Sequence, residues 1–300
     1  LRKQVGCLMP GIIEAKIVKL SYLILLMTAT VSCQKDKNTD LIKVNTLPKI
    51  LHEISGITML SDHNLYAIND SGNSNTLFCL NQKGKIVREI KISETKNIDW
   101  EDLAYDKEDN IYIGDFGNNA NDRKDLVIYK VSGILSNTIV TSKIEFIFED
   151  QKKFPPKKKR LNFDVEAFVH FKGNLYLFTK NRGKKSKGVT KLYRVSATPG
   201  KHMAKLIGVY ETCKNYSNCL ITGATINRSE DKIALLTHNK VFLLSNFKGD
   251  NLFDGNIQKI ALKHNSQKEG ICFKNDSILF ITDEKTNHHK ATLYKYQFEK

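Results

Sequence analysis

Long apolar stretches are scarce in this sequence. The run Leu20–Val31 (LSYLILLMTATV) is too short to span a bilayer comfortably as a helix. A nucleophile elbow, a P-loop and a zinc-protease motif are all missing, which removes the standard hydrolase signatures. No nucleic-acid-binding module is visible, and basic loops alone do not make one, so nucleic acid is not an expected partner. Acidic residues are the minority, 32 Asp and Glu against 47 Lys and Arg, for a net charge of +15. Such a surface favours anionic partners: phosphate groups, acidic glycans, anionic lipid. Cysteines number only six.

What is present is a repeat. Residues 97–119, NIDWEDLAYDKEDNIYIGDFGNN, read as a strand, an acidic turn and a second strand. Four further copies occur: ISGITMLSDHNLYAINDSGNS, VEAFVHFKGNLYLFTKNRG, TGATINRSEDKIALLTHNK and EGICFKNDSILFITDEKT. Aligned on the first strand, Ser55, Glu101, Glu166, Thr222 and Glu269 coincide. Third strands are expected at Thr76–Leu80, Leu126–Val131, Lys191–Val195, Val241–Leu244 and Thr292–Tyr296. Fourth strands are expected at Ile86–Ile92, Lys143–Phe148, Lys205–Tyr210 and Ile257–Leu262. The last copy ends without one. The strand-like segment Leu41–Ile50 would complete it and remove an open sheet edge. Four strands per repeat at this spacing predict an all-β fold, a five-bladed β-propeller closed by an N-terminal strand. A six-bladed ring is the alternative and would need about 40 residues that the repeat does not leave over. The propeller is expected to occupy residues 41–300 as one domain.

In a propeller the first strand of each blade lines the channel. Ser55, Glu101, Glu166, Thr222 and Glu269 should therefore gather at one end of the axis, and Asp70, Asp115, Lys180, Arg182, His238, Asp283 and Glu284 around them on a ligand-binding face. Three carboxylates converging on an axis repel one another unless something positive lies between them. Either a hard, oxygen-liganded cation such as calcium sits there, or the ring caps the channel through water and backbone hydrogen bonds. No His or Cys stands at a ring position, which argues against zinc or copper. The pattern Asp-x-Gly-Asn at Asp70–Asn73 and Asp115–Asn118 suits tight turns, with a second cation or substrate site as its functional alternative. The basic loops Lys152–Arg160 (KKFPPKKKR) and Arg182–Lys187 (RGKKSK) should lie on the ring side, as solvated charge or as a docking patch for an anion. His288 and His289 fall in an exposed loop.

Lys16 and Lys19, the apolar run and Ser32 before Cys33 describe a secretory signal peptide. Val31-Ser32-Cys33 resembles a bacterial lipobox, with Thr30 where Leu is usual. That resemblance implies a lipoprotein signal peptide over residues 1–33, lipidated on Cys33, by palmitate among other chains, and a tether over residues 34–40. Gln34-Lys35-Asp36 resembles a signal for the outer face of the outer membrane, so the expected location is an outer-membrane lipoprotein facing the cell surface. Export also makes a disulfide between Cys213 and Cys219 (CKNYSNC) the expectation over two free loop thiols. Cys79 and Cys272 fall inside strands and read as buried small hydrophobes.

The order Ser, Glu, Glu, Thr, Glu, one residue per blade, is similar to the channel ligands of the five-bladed calcium-activated nucleotidases (apyrases), which read Ser, Glu, Glu, Ser, Glu. The resemblance implies a calcium site at those five residues. It does not extend to nucleotide hydrolysis, because the other motifs of that family are absent. The chain also resembles secreted bacterial propeller proteins with DWED…GDxGNN, DxEA…LYLxTK, TGA and EG…ITDE blades. Here these are Asp99–Asp102 with Gly114–Asn119, Asp164–Ala167 with Leu175–Lys180, Thr222–Ala224, and Glu269–Gly270 with Ile281–Glu284. Two functions are open at this point. One is a lipid-anchored binding protein for an anionic small molecule or glycan, with calcium in its channel. The other is a calcium-dependent hydrolase of a phosphoester, nucleotide or lactone. The oligomeric state is not legible.

Overall fold

The computed structural model describes residues 41–183, 188–213 and 217–298. The signal peptide, Cys33, the tether and residues 184–187 of the second basic loop lie outside the described residues. Among the described residues no helix is long and apolar enough to cross a membrane.

The fold is the expected all-β propeller. Each repeat forms an antiparallel meander of four strands. The first holds β2 (Ile54–Met59), β3 (Leu65–Asn69), β4 (Thr76–Leu80) and β5 (Ile86–Lys91), after β1 (Ile42–Thr46). The second holds β6 (Trp100–Tyr105), β7 (Ile111–Asp115), β8 (Val127–Ser132) and β9 (Val140–Phe148). The third holds β10 (Val165–Phe171), β11 (Asn174–Thr179), β12 (Val189–Ser196) and β13 (Gly200–Glu211). The fourth holds β14 (Gly223–Ile226), β15 (Lys232–Leu236), β16 (Lys240–Ser245) and β17 (Asn256–Ala261). In the last, β18 (Lys268–Asn275), β19 (Ile278–Asp283) and β20 (Thr292–Gln297) are completed by β1, antiparallel to β20. The first strands neighbour one another in the cyclic order β2, β6, β10, β14, β18 and back to β2.

Two details differ from expectation. The closing strand ends at Thr46, not Ile50. Pro48 follows, which offers no N–H to a ladder, and Lys49–Leu51 turn into a 3-10 helix. The second and third meanders also merge into one eight-stranded sheet, because the twelve-residue β13 serves both. Its N-terminal part, Gly200–Ala204, runs parallel to Ile144–Phe148 of β9, while Lys205–Glu211 pair with β12.

Burial explains the sequence pattern. Every residue of β2, β3, β4, β6 and β7 is buried, so these strands carry side chains suited to contact on both faces. The outer β9 alternates over its second half, with Ile144, Phe146 and Phe148 buried between exposed Lys143, Glu145 and Ile147. Between meanders the aromatics Tyr112, Phe116, Phe168 and Tyr193 fill one core cluster, and Trp100 anchors the next with its indole N–H on Lys96 O at 3.0 Å. Each such fully buried side chain stabilises the fold by roughly 1.5–3 kcal/mol. The inner strands approach closely near the ring. A methyl group at Gly56 would stand 2.5 Å from Leu103 N, and one at Gly270 2.5 Å from Ser55 O.

Candidate functional site

Four of the five first strands, β2, β6, β10 and β18, share one irregularity. In β6, Trp100 pairs with Asp115 and Asp102 with Gly114, leaving Glu101 without a partner residue. Glu166 is left out of β10 in the same way, between Val165 and Ala167, and Glu269 out of β18, between Lys268 and Gly270. In β2 the bulge spans Ser55 and Gly56. A bulge adds one residue, bends the strand and re-aims a side chain. The repeat thus turns one oxygen-bearing side chain per strand toward the channel mouth. Thr222 sits immediately before β14, its N–H on Leu236 O at 3.0 Å.

Ser55, Glu101, Glu166 and Glu269 line a single polar cavity of about 110 Å³, together with Glu53, Asp70, Asn119, Lys180, Arg182, Gln267 and Glu284. Glu101 is its pivot. One carboxylate oxygen each of Asp70, Asp99 and Glu101 lie within 4.8 Å of one another, and so do those of Glu101, Asp164 and Glu166. The second trio is matched by side-chain cations. Lys180 Nζ stands 2.9 Å from Glu166 Oε2, and Arg182 reaches Glu166 Oε1 at 2.9 Å while its Nε donates to Asp164. Asp164 also accepts the Asn118 N–H at 2.7 Å. Gly117 leaves space for the first trio: a methyl group there would stand 2.2 Å from Glu101 Oε1 and 2.4 Å from Asp99 Cγ.

The electrostatics follow from crowding. Burial, then the charges of Glu166, Asp70 and Asp164, push Glu101 well above the usual carboxylate range. Burial and Asp70 raise Asp99 to about 6. Burial and Glu166 raise Asp164 to about 7 against the pull of Arg182. Burial and Glu269 raise Glu284 to about 7. Glu166 is the exception: burial works to raise it, but Lys180 and Arg182 together hold it below its ordinary value. The cavity therefore carries more negative charge than its own lysine and arginine answer, and it can accept a further cation.

Of the expected ring, four members meet and Thr222 does not line the cavity; its hydroxyl donates to Lys268 O at 2.7 Å. The Ser55 hydroxyl donates to Glu101 O, which leaves lone pairs for another partner. Of the expected ligand face, Asp70, Lys180, Arg182 and Glu284 line the cavity. Asp115, His238 and Asp283 do not. Asp115 is fully buried, accepts the Asp99 N–H at 3.1 Å and pairs with Arg123 at 2.9 Å. Asp283 is fully buried and pairs with the equally buried Lys268 at 3.1 Å. His238 Nε2 stands 3.8 Å from Glu269 Oε1. Cys213 and Cys219 are joined by a disulfide with a Cα–Cα distance of 5.8 Å, and Cys79 and Cys272 are free and buried. Asp99 and Asp164 were missed as members of the cluster. The signal was present as Asp-x-Glu in two repeats, Asp99-Trp100-Glu101 and Asp164-Val165-Glu166.

No protein-family model matches the chain, and no curated protein matches it either. Solved structures similar to it include an aldose sugar dehydrogenase from Streptomyces coelicolor in its PQQ-bound form, at 9% identity and TM-score 0.48, covering 86% of this chain and 98% of that one. A gluconolactonase from Xanthomonas campestris is similar at 11% identity and TM-score 0.45, over 82% and 72% of the two chains. Virginiamycin B lyase from Staphylococcus aureus is similar at 14% identity and TM-score 0.40, over 84% and 69%. Likenesses this distant carry no argument about activity.

Proposed function

We propose that this chain is an exported propeller that holds a calcium ion at carboxylates centred on Glu101 and binds an anionic or glycan ligand on the ring-side face. One observation carries the proposal. Glu101, Glu166 and Glu269, displaced by equivalent bulges, meet Ser55 and Asp70 in one polar cavity of about 110 Å³. The donors are oxygens throughout, which suits a hard cation over zinc or copper. Oxygens around one calcium ion stand at most about 5 Å apart, twice the bond length. Those of Asp70, Asp99 and Glu101 meet that limit at 4.8 Å. Because Lys180 and Arg182 already answer Glu166 and Asp164, the cation belongs on the Asp70–Asp99–Glu101 side, and Glu269 and Ser55 line the same cavity. Thr222 stays outside the donor set. Bound there, calcium would screen the carboxylates from one another. The leader is proposed to anchor the chain in the outer membrane through lipidated Cys33, with residues 34–40 as tether and the propeller facing outward.

Calorimetric titration tests this directly. Calcium should bind with a dissociation constant of about 10⁻⁴–10⁻³ M, as in extracellular modules. Glu101→Gln should weaken it by at least about tenfold. A chain whose heat signal and melting temperature both ignore calcium would remove the metal from the proposal. A second function, calcium-dependent hydrolysis, is favoured by the presence of Glu284 in the same cavity, where it could serve as base beside the cation. Turnover in a phosphoesterase and lactonase panel that disappears with chelator would establish it in place of binding alone.

A further inference from the structure

An anionic ligand cannot rest in the carboxylate cavity without repulsion, so its charge must be met elsewhere on the same face. The segment from β9 to β10 provides the place. A cleft of about 530 Å³ lies between residues 150–163 and the start of β12, walled by Lys152, Lys153, Lys157, Arg160 and Lys191 over Phe163. That volume suits a small organic ligand. Asp150 is the one carboxylate in the lining, and it is engaged by Lys191 at 2.6 Å and by the Tyr193 hydroxyl at 2.9 Å. Lys152 donates to Glu149 O at 2.6 Å. Lys153, Lys157 and Arg160 form no ion pair among the described residues. Asp164 of the acidic cluster follows Phe163 of the cleft lining, so one chain segment leads from the cleft to the cluster.

We propose that this cleft binds a small organic ligand carrying two or more phosphate or sulfate groups. Lys153, Lys157 and Arg160 would take the anionic groups, the guanidinium in a two-pronged contact and the ammonium groups as point charges. Phe163 lies beneath the cleft, buried against Phe148, and Lys191 Nζ stands 5.0 Å from its ring centre, which holds that ammonium at the cleft. The inference rests on the proposal that the ring-side face binds an anionic or glycan ligand, but not on calcium.

The test is calorimetric titration of the whole chain with four probes: fructose 1,6-bisphosphate, a disulfated heparin disaccharide, inorganic phosphate and sucrose. Each is titrated with calcium and with chelator. One or both of the charged saccharides should bind at least about tenfold more tightly than inorganic phosphate, and sucrose should not bind. The two charged probes separate phosphate from sulfate as the preferred group. Lys157→Glu with Arg160→Glu should weaken that binding by about 100-fold, roughly tenfold for each reversed charge, with the melting temperature unchanged. Chelator and Glu101→Gln should leave it intact. Affinity equal to that of inorganic phosphate, or equal in the charge-reversed variant, would overturn the cleft. Binding lost with chelator but kept in the charge-reversed variant would also overturn it, while placing the ligand at the carboxylate cavity. Saccharide binding that obeys the cleft variants in a chain indifferent to calcium would support the cleft and remove only the metal.

Discussion

Gly117 lies against Glu101 so closely that a methyl group on its Cα would stand 2.2 Å from Glu101 Oε1. The Asp-x-Gly-Asn turn therefore does more than reverse the chain: it leaves the volume in which the Glu101 and Asp99 carboxylates sit. Gly117→Ala must displace a buried carboxylate pivot. It is expected to cost about 1–3 kcal/mol of stability and to weaken cation binding by at least about tenfold. Gly72, the equivalent position in the first repeat, has open space around it but a φ of +79°. Gly72→Ala should lower stability through backbone strain and leave cation affinity within about threefold. Paired melting and calcium titration of the two variants separate these effects.

Stability of the metal-free chain should fall as pH rises from about 4 to 7. Asp99, Asp164 and Glu284 have folded-state pKa values of about 6, 7 and 7, above their ordinary values of 3.8, 3.8 and 4.5. The folded chain then holds protons that the unfolded chain has released, so raising pH through this window favours unfolding. Glu166 acts oppositely but lower: its depressed value adds stability above its ordinary 4.5 that is lost as pH falls through the folded value. A bound cation replaces the protons. Melting curves in chelator should decline by several degrees, roughly, between pH 5 and 7.5, and saturating calcium should abolish most of the decline. Parallel slopes with and without calcium would separate these carboxylates from the cation.

Sequence made the architecture legible because strand, turn and first-strand position recur together. The ring was legible for the same reason: Glu101, Glu166 and Glu269 fall at one place in each copy. What the linear pattern could not carry was which side chains and strands pair. Lys180 and Arg182 looked like free ligands on a face, yet both converge on Glu166, from one blade's second-strand loop back onto its first strand. Asp115 looked equivalent to Asp70, but Arg123, eight residues on, claims it. Thr222 shared the alignment and lacks the bulge, since its strand starts one residue later. The merging of β9 with β13 depends on a parallel register between sequence-distant segments, which no local signal specifies.

Lys180→Met should tighten cation binding. Its ammonium stands 2.9 Å from Glu166 Oε2 and lines the cavity that the cation would enter. Removing it leaves Glu166 with Arg182 alone and adds a net negative charge to the site. The expected changes are a gain in calcium affinity of about tenfold and, without calcium, a loss of about 1–3 kcal/mol of stability. Urea unfolding with and without calcium measures both. A loss of affinity would mean that the cation does not share this cavity with Lys180.

Asp102, next to the pivot but turned away from it, tests whether the channel's acids are all of one kind. It is fully buried and accepts three backbone N–H groups: Leu103 at 2.8 Å on Oδ1, and Phe168 at 3.2 Å and Ala224 at 3.1 Å on Oδ2. One side chain thus ties β6 to β10 and β14 across the axis. Burial pushes it well above the usual carboxylate range while the three N–H groups pull it down. Asp102→Ala would leave those buried N–H groups without their partner, at about 1–3 kcal/mol each if none finds water. Asp102→Asn keeps the shape but turns one acceptor into a donor facing an N–H, which should still cost about 2–4 kcal/mol. Both variants should unfold at lower urea concentration, and any folded fraction should bind calcium with unchanged affinity. Such a split would assign Asp102 to holding the ring of first strands and Glu101 to the cation. A calcium affinity that falls with Asp102→Asn would instead join the two carboxylates in one site.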